Sequence, residues 1–203
     1  SELGRIRDKI NTRKEKTGKK SIVAVAGCVA QAQGKEIIKR SPWVDIVVGP
    51  QSYQNLPELI AKVDPVNKNK NINIDFPTIP KFDQLNVNIE DRGPSAFLTI
   101  QEGCDKFCTF CVVPYTRGAE YSRPLKSIID EAKQLVDVGV KEITLLGQNV
   151  NAWSSKGLDD RNWGLGRLID ELAKINELKF IRYTTSHPLD MDIELIKSHR
   201  DNK

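Results

Sequence analysis

The apolar residues of the first 65 positions alternate between short continuous runs and helical spacing. Residues 21–26 and 44–48 are apolar runs, as expected of strands buried on both faces, and residues 28–39 form a helix-like segment between them. Amphipathic helices are predicted before and after these strands, by Leu3, Ile6 and Ile10 and by Leu56, Leu59, Ile60 and Val63. The pattern predicts an α/β fold, with a small parallel-sheet N-terminal domain over residues 1–65.

A stretch of different composition, residues 66–92, follows this domain. Alternating asparagines and lysines precede the run Phe76-Pro-Thr-Ile-Pro80, and the whole stretch has little periodicity and several residues that break regular structure. We therefore predict a linker.

Residues 93–203 then repeat a strand–helix alternation three times. Strands are predicted at 96–101, 142–146 and 180–185. The helical stripes between and after them are Ile128, Ala132, Leu135, Val136 and Gly139; Leu165, Leu168, Ile169, Leu172 and Ala173; and Ile193, Leu195 and Ile196, with Asp190 as the expected N-cap. Because such crossovers are right-handed, three units would make the first half of an eightfold (β/α) barrel.

Composition and charge narrow the class of protein only slightly. No apolar run approaches the ~18 residues of a membrane span, and no charged-then-apolar leader opens the chain, so we expect a cytoplasmic protein in which free thiolates survive. The net charge of +4 permits a polyanionic partner. The lysine- and arginine-rich stretches at 13–20 and 67–73 fit a solvated surface or nucleic-acid contact.

Three cysteines carry the candidate chemistry. Cys104, Cys108 and Cys111 have the spacing C-x3-C-x2-C and supply three thiolates from one short loop. A cubic iron–sulfur cluster has four irons, so three local ligands leave one iron open, as in a catalytic metal site. A structural zinc site that also uses Cys28 is the alternative, although only Cys108 and Cys111 form the C-x2-C pair usual in zinc motifs.

The carboxyl ends of the predicted barrel strands are where active sites form in such folds. Gly147, Gln148 and Asn149 follow the second predicted strand and His187 follows the third. Gly147 would let a cofactor approach the backbone, and the two amides offer donors and acceptors; alternatively, these residues only end the strand and cap the turn. His187 would contact substrate, act as a base, or satisfy loop backbone.

The residues around the cysteines resemble a known family. Residues 103–118, with Glu120 and Ser122-Arg123-Pro124, are similar to the methylthiotransferase branch of the radical S-adenosylmethionine (SAM) superfamily, and most similar to its tRNA-modifying MiaB type. Residues 27–31, 145–150 and 184–188 fit that type too. The resemblance covers the chain outside the linker.

The resemblance implies two [4Fe-4S] clusters and S-adenosyl-L-methionine as cofactors. Cys104, Cys108 and Cys111 would hold the SAM-binding cluster, Phe110 would lie near the adenine or serve as a core aromatic, and Cys28 would be one ligand of an auxiliary cluster. The implied reaction adds a methylthio group to carbon 2 of N6-isopentenyladenosine next to the anticodon in tRNA. An electron donor such as flavodoxin or ferredoxin and a monomeric state are also implied.

The chain also departs from the family pattern. Two auxiliary-cluster cysteines, the rest of the barrel and a carboxyl-terminal RNA-binding domain are expected of the family and do not occur in these 203 residues. We therefore expect a fragment lacking both ends that is inactive alone.

Alternative functions are methylthiolation of a ribosomal protein side chain and, from another class, a zinc-binding RNA module. Arg117 could clamp an anion, and Glu120 could pair with Arg123.

Overall fold

The computed structural model describes residues 2–64, 70–76 and 93–202, which form two compact units. The first unit contains the described residues before 77 together with residues 115–117, and the second contains 93–114 and 118–202. Among the described residues, no helix is both long enough and apolar enough to cross a membrane.

The first unit is a three-stranded parallel sheet with helices. Its elements are α1 (Glu2–Thr17), β1 (Ala24–Ala26), α2 (Cys28–Gln33), α3 (Lys35–Arg40), β2 (Ile46–Val48), a 3-10 helix (Pro50–Asn55), α4 (Leu56–Ala61) and β3 (Asn71–Asn73). The strand order is β1-β2-β3, and β2 is completely buried. Its core contains Val23, Ala30, Ile37, Val44 and Val47.

Two expectations for the first unit were wrong. Strand β3 lies inside the segment predicted as a linker, where Ile72 pairs in parallel register with Val47. A single isoleucine between asparagines does not predict a strand. The strand forms because the edge of β2 offers backbone donors and acceptors that residues 71–73 pair with. The helix predicted from residue 28 is interrupted at Gly34, whose φ of 38° starts a new helix, α3. The expected linker positions 66–69 and 77–92 lie outside the described residues.

The second unit contains the repeated strand–helix alternation. Its elements are β4 (Ser95–Thr99), β5 (Gln101–Glu102), α5 (Val113–Arg117, whose last three residues belong to the first unit), β6 (Tyr121–Ser122), α6 (Leu125–Asp137), β7 (Glu142–Leu146), a 3-10 helix (Val150–Ala152), β8 (Ser155–Lys156), β9 (Asn162–Trp163), α7 (Leu165–Leu172), β10 (Phe180–Tyr183), a 3-10 helix (Pro188–Asp190) and α8 (Ile193–Asp201). The α/β class and the alternation are confirmed.

Strands β4, β7 and β10 form one parallel sheet in the order β10-β7-β4. The helices cover one face of it, where Leu98, Ile143 and Leu145 are fully buried. Burying each such side chain stabilises the unit by about 1.5–3 kcal/mol. On the other face Phe97 and Phe180 are 65% and 58% exposed. The sheet therefore has one packed and one open face, and its carboxyl ends lie along one edge.

The third helix of this unit begins differently from the expectation. Asp192, rather than Asp190, is the N-cap of α8, and its carboxylate accepts a hydrogen bond from the backbone N–H of Leu195 at 2.7 Å. Either aspartate satisfies the capping preference, and the 3-10 turn before α8 decides between them. Asp190 is thereby available to other partners.

Helix α7 crosses α8 at Gly166, where the backbones of the two helices lie close together. A Cβ at Gly166 would lie 2.7 Å from backbone atoms of Glu194 and Leu195. Helix propensity alone would favour Gly166→Ala by up to about 1 kcal/mol, but the close backbone must move, so we expect a net loss of about 1–3 kcal/mol. Urea unfolding measures it, followed by tryptophan fluorescence in a Trp43→Phe background so that only Trp153 and Trp163 report.

In the same experiment, Gly166→Ser should lose more stability than Gly166→Ala because its side chain is larger. A stabilised Gly166→Ala variant would contradict the close crossing, since helix propensity would then be the only effect.

Candidate functional site

The three cysteines lie on the loop that follows β5. All three thiols, like that of Cys28, are free and half-buried. The loop turns tightly, because the backbone N–H of Cys111 donates to the carbonyl of Cys108 at 2.9 Å and Phe107 has a φ of 48°. Within the described ranges no three His, Cys, Asp or Glu side chains are grouped around a position for one metal ion.

Gly103 makes the entry to this loop possible. Its φ is 74°, and a Cβ there would lie 2.0 Å from the carbonyl oxygen of Ala119. The next residue, Cys104, donates its backbone N–H to the carbonyl of Gly118 at 3.3 Å. A side chain at position 103 would therefore push the loop away from residues 118–119.

The buried side chain of Gln101 joins the cysteine loop to the loop after β7. Its Oε1 accepts backbone N–H groups of Gln148 at 2.8 Å and Asn149 at 3.0 Å, and its Nε2 donates to the carbonyl of Gly103 at 2.7 Å. The Gln148 side chain accepts the N–H of Gly103 at 2.9 Å. A Cβ at Gly147 would lie 2.6 Å from Gln101 Oε1, so the side chain of Gln101 occupies the space that glycine leaves open.

The contacts of Gly147, Gln148 and Asn149 are thus internal, as the turn-capping alternative expected. They hold the two loops together, and a role of these residues in cofactor binding stays a prediction. Gln101 itself was missed by the sequence analysis, because a glutamine at the end of an apolar strand carries no sign of its partners.

A polar network joins the loops that follow β7 and β10. Asn149 is buried; its Nδ2 donates to Asp190 Oδ2 at 2.7 Å, and its Oδ1 accepts the backbone N–H of His187 at 3.1 Å. The Asn151 side chain bonds to both backbone groups of His187: its Oδ1 accepts the N–H at 2.8 Å, and its Nδ2 donates to the carbonyl at 2.8 Å. Lys106 Nζ, in the cysteine loop, donates to Asp190 Oδ1 at 2.6 Å.

His187 itself reaches the cysteine loop. Its Nε2 lies 3.8 Å from Cys108 Sγ, and its Nδ1 accepts the backbone N–H of Leu189 at 3.2 Å. The structure therefore brings together the loops that follow three parallel strands, as the position of barrel active sites suggests. Lys106, Asn151 and Asp190 belong to this arrangement; the first two were not singled out from the sequence, and Asp190 was expected only as a helix cap.

The network perturbs its ionisable groups. Burial alone would raise the pKa of the Asp190 carboxyl, but hydrogen bonds from Lys106 and Asn149 outweigh it and hold that pKa below its usual range. The hydrogen bond to Asp190 raises the pKa of the Lys106 ammonium. Burial, with the negative charges of Asp105 and Asp190, raises the pKa of Glu120. The site holds an ion pair beside an acid that protonates more easily than usual.

Phe110 is 94% exposed on the cysteine loop. The alternative that this ring is a core aromatic is therefore wrong. Contact with an adenine stays a prediction that the exposed ring leaves open.

Arg123 does not have the expected partner. It donates to Glu131 Oε2 at 2.7 Å and to the carbonyl of Thr99 at 2.6 Å, both within the second unit. The expectation of a pair with Glu120 was wrong, because Arg123 and Glu131 are brought together by the start of α6, eight residues apart, with both side chains mostly buried.

Cys28 lies in the first unit, at the first residue of α2. Gly27 before it has a φ of 108°, which turns the chain from β1 into the helix. The residues 115–117 of this unit supply a donor to the thiol, because Arg117 Nε lies 3.3 Å from Cys28 Sγ. The carbonyl of Arg117 accepts from Gln51 Nε2 at 2.8 Å. Arg117, expected to clamp an anion, thus contacts a sulfur that would carry negative charge as a thiolate.

The donor set of the cysteine loop fits an iron–sulfur cluster. Three free thiols stand within eight residues, and soft thiolate ligands select such clusters or zinc. Backbone hydrogen bonds hold the loop at Gly103 and at Cys111, so the ligands belong to a positioned loop.

Comparison with known proteins matches both units. The Radical SAM superfamily profile matches residues 98–203, and the profile of Uncharacterized protein family UPF0004 matches residues 3–49. Proteins named tRNA-2-methylthio-N(6)-dimethylallyladenosine synthase are 54% identical in Agrobacterium fabrum over 99% of this chain, 57% in Rickettsia canadensis and 56% in Rickettsia felis, both over 98%. The chain spans 44% of the length of each.

The lowered pKa of Asp190 predicts how stability depends on pH. A carboxyl whose pKa is lower in the folded chain stabilises it fully above the unfolded value of about 3.9, and this contribution is lost as the pH falls through the folded pKa. We expect Asp190→Asn to cost about 1–2 kcal/mol at pH 7, because Asn149 and the new amide then present donors to each other. Urea unfolding at pH 7 and at stepwise lower pH measures the difference.

The control for this prediction is Asp130→Asn, which removes an exposed carboxylate from α6. It should leave the free energy of unfolding unchanged at every pH. A loss for Asp190→Asn that stays constant down to pH 3 would show that the carboxylate charge is not responsible.

Proposed function

We propose, since this chain belongs to the Radical SAM superfamily, that it is the part of a tRNA methylthiotransferase that binds the reactive iron–sulfur cluster. The observation that carries the proposal is the position of the cysteine loop. Cys104, Cys108 and Cys111 lie on the loop after β5, which directly follows β4, and this loop is tied to the loops after β7 and β10. Active sites of (β/α) folds form at that edge.

Membership of the superfamily implies SAM and one [4Fe-4S] cluster. Cys104, Cys108 and Cys111 would hold this cluster, which when bound supplies the electron that cleaves SAM. The protein's own contribution is position: Gly103 and Gln101 hold the start of the loop, and Lys106 with Asp190 holds its middle. Phe110 presents an exposed ring beside the last ligand, where it can cover an adenine.

A second, auxiliary cluster would be bound in the first unit. Cys28 stands at the start of α2, and the Arg117 guanidinium would stabilise it as a thiolate ligand. We infer that residues 1–65, extended by β3, are part of a methylthiotransferase N-terminal domain, and that 93–203 are the first half of a radical SAM barrel. The open face of the sheet, with Phe97 and Phe180, would then be the barrel interior.

The proposed substrate is an adenine in the anticodon loop of tRNA. The relatives that match 98–99% of the chain carry names that state 2-methylthio-N6-dimethylallyladenosine synthesis, so the methylthio group would be added at carbon 2 of N6-isopentenyladenosine. An unstacked loop base can be extruded into a pocket. A flavodoxin or ferredoxin as electron donor, a monomeric state and a cytoplasmic location complete the proposal.

Two other functions remain as alternatives. Methylthiolation of a ribosomal protein would use the same cluster chemistry, but the names of the relatives favour tRNA. A zinc-binding RNA module would use the cysteines as structural ligands, and only metal content separates it from the proposal.

Metal content is therefore the direct test. After anaerobic reconstitution with iron and sulfide, the chain should hold about four irons and four sulfides on the cysteine loop. Cys104→Ala, Cys108→Ala and Cys111→Ala should each lose most of this iron, because two thiolates from the loop cannot replace three. Iron, acid-labile sulfide and zinc analysis, with the EPR spectrum of the reduced sample, measures the result.

The matched control is Cys28→Ala, which removes a cysteine from the other unit. It should keep the iron of the unaltered chain. Stoichiometric zinc without sulfide, persisting when iron is offered, would contradict the proposal and favour the zinc-binding module.

The substrate is tested in cells. Replacing Cys108 by Ala in the chromosomal gene should remove 2-methylthio nucleosides from tRNA and leave the isopentenylated precursor, as measured by mass spectrometry of digested tRNA. An unchanged tRNA profile with a ribosomal protein lighter by one methylthio group would support the alternative. The 203-residue chain by itself should yield no methylthiolated tRNA in vitro, and product formation would contradict that expectation.

A further inference from the structure

The side chains of His187 and Cys108 are in contact, which the sequence did not predict. The imidazole Nε2 is 3.8 Å from Cys108 Sγ, which is within reach of a hydrogen bond to sulfur. The two residues are 79 positions apart, and both side chains are half-buried. The contact joins the loop after β10 to the middle ligand of the cysteine loop.

The other ring nitrogen determines which tautomer makes this contact. Nδ1 accepts the backbone N–H of Leu189 at 3.2 Å, so it carries no proton in the neutral ring. The proton of the neutral imidazole must then be on Nε2, the nitrogen that faces Cys108. The ring is therefore oriented as a donor towards the sulfur.

The backbone of His187 is held so that the ring keeps this direction. Its N–H donates to both Asn149 and Asn151, and its carbonyl accepts from Asn151. Asn149 is in turn fixed by Gln101 and by Asp190. A loop histidine held at its N–H, its carbonyl and one ring nitrogen has little freedom to turn away.

A second contact, an ion pair, also joins the cysteine loop to the segment that contains His187. Lys106, two residues before Cys108, forms an ion pair at 2.6 Å with Asp190, three residues after His187. The Asp190 side chain is 18% exposed, so this pair is partly shielded from solvent. The imidazole donor and the sulfur are thus aligned both by the bonds of Asn149 and Asn151 to His187 and by the Lys106–Asp190 pair.

We propose that His187 is a positioning residue that donates a hydrogen bond from Nε2 to the sulfur of Cys108 and so favours the reduced form of the cluster that Cys108 ligates. This inference rests on the proposed function, because it requires a cluster on the loop. Hydrogen bonds to cluster sulfurs stabilise the more negative, reduced state and raise the reduction potential. Reduction adds one electron to the cluster and breaks no bond.

The test is a redox titration of the anaerobically reconstituted chain, with dithionite as reductant through low-potential mediators and the EPR signal of the reduced cluster as readout. His187→Leu should make the midpoint potential more negative by about a tenfold change in the reduction equilibrium, which is about 59 mV for one electron. His187→Gln, whose amide Nε2 can still donate, should recover part of the difference.

His199→Leu is the matched control, because His199 is the other histidine of the chain and contacts Tyr183 at 2.7 Å in the same unit. Its potential should equal that of the unaltered chain. Equal potentials for His187→Leu, His187→Gln and the unaltered chain would overturn the inference while leaving the proposed function intact. Absence of any cluster in the unaltered chain would overturn the proposed function itself.

A second measurement needs no cluster and no variant. In the metal-free chain, the imidazole ¹⁵N shifts of His187 should report a proton on Nε2. A ring that carries its proton on Nδ1 and none on Nε2 would overturn the inference even if His187→Leu failed to fold.

Discussion

The hydrogen bonds of the buried Gln101 side chain are the constraint on which the arrangement of the second unit depends. A buried amide without partners costs about 1–3 kcal/mol for each unsatisfied group, so Gln101 is stable there only if both ends are bonded. Oε1 accepts from the backbone of Gln148 and Asn149, and Nε2 donates to Gly103. The Gln101 side chain thus joins the start of the cysteine loop to the start of the loop after β7. Position 147 must be glycine because a Cβ there would overlap the Gln101 side chain.

Asn149 extends this joint towards the third strand, because the residue whose N–H reaches Gln101 also bonds Asp190 and His187 with its side chain. Asp190 returns to the cysteine loop through Lys106, so the three loops form a closed ring of polar contacts. The three cysteines lie in neither a strand nor a helix, so these polar contacts are what holds their loop in place. Precise placement by supporting hydrogen bonds is what metal ligands require.

The alternation of strands and helices was predictable because each element has its own periodicity. Strand β7 has the predicted bounds, whereas β4 and β10 each end two residues before the predicted strands 96–101 and 180–185 do. The predictions were wrong where two nearby residues satisfied the same sequence preference equally well. Asp190 and Asp192 are equally good caps, and Arg123 had acidic residues on both sides. Strand β3 was missed because its stability comes from its partner β2, while its own residues are mostly polar. The exposure of Phe110 was also undecided, since an aromatic residue next to a cysteine suits a core or a surface.

The amino-acid sequence by itself determined the chemistry of the site: three thiolates at C-x3-C-x2-C spacing are a local property, as are the runs that form the strands. Only the tertiary structure decided which residues surround those thiolates. Cys108 meets His187 across 79 positions and Lys106 meets Asp190 across 84, and no local pattern records either partner. The physical reason is that parallel strands place their carboxyl ends along one edge of a sheet, so loops distant in sequence become neighbours when the sheet forms.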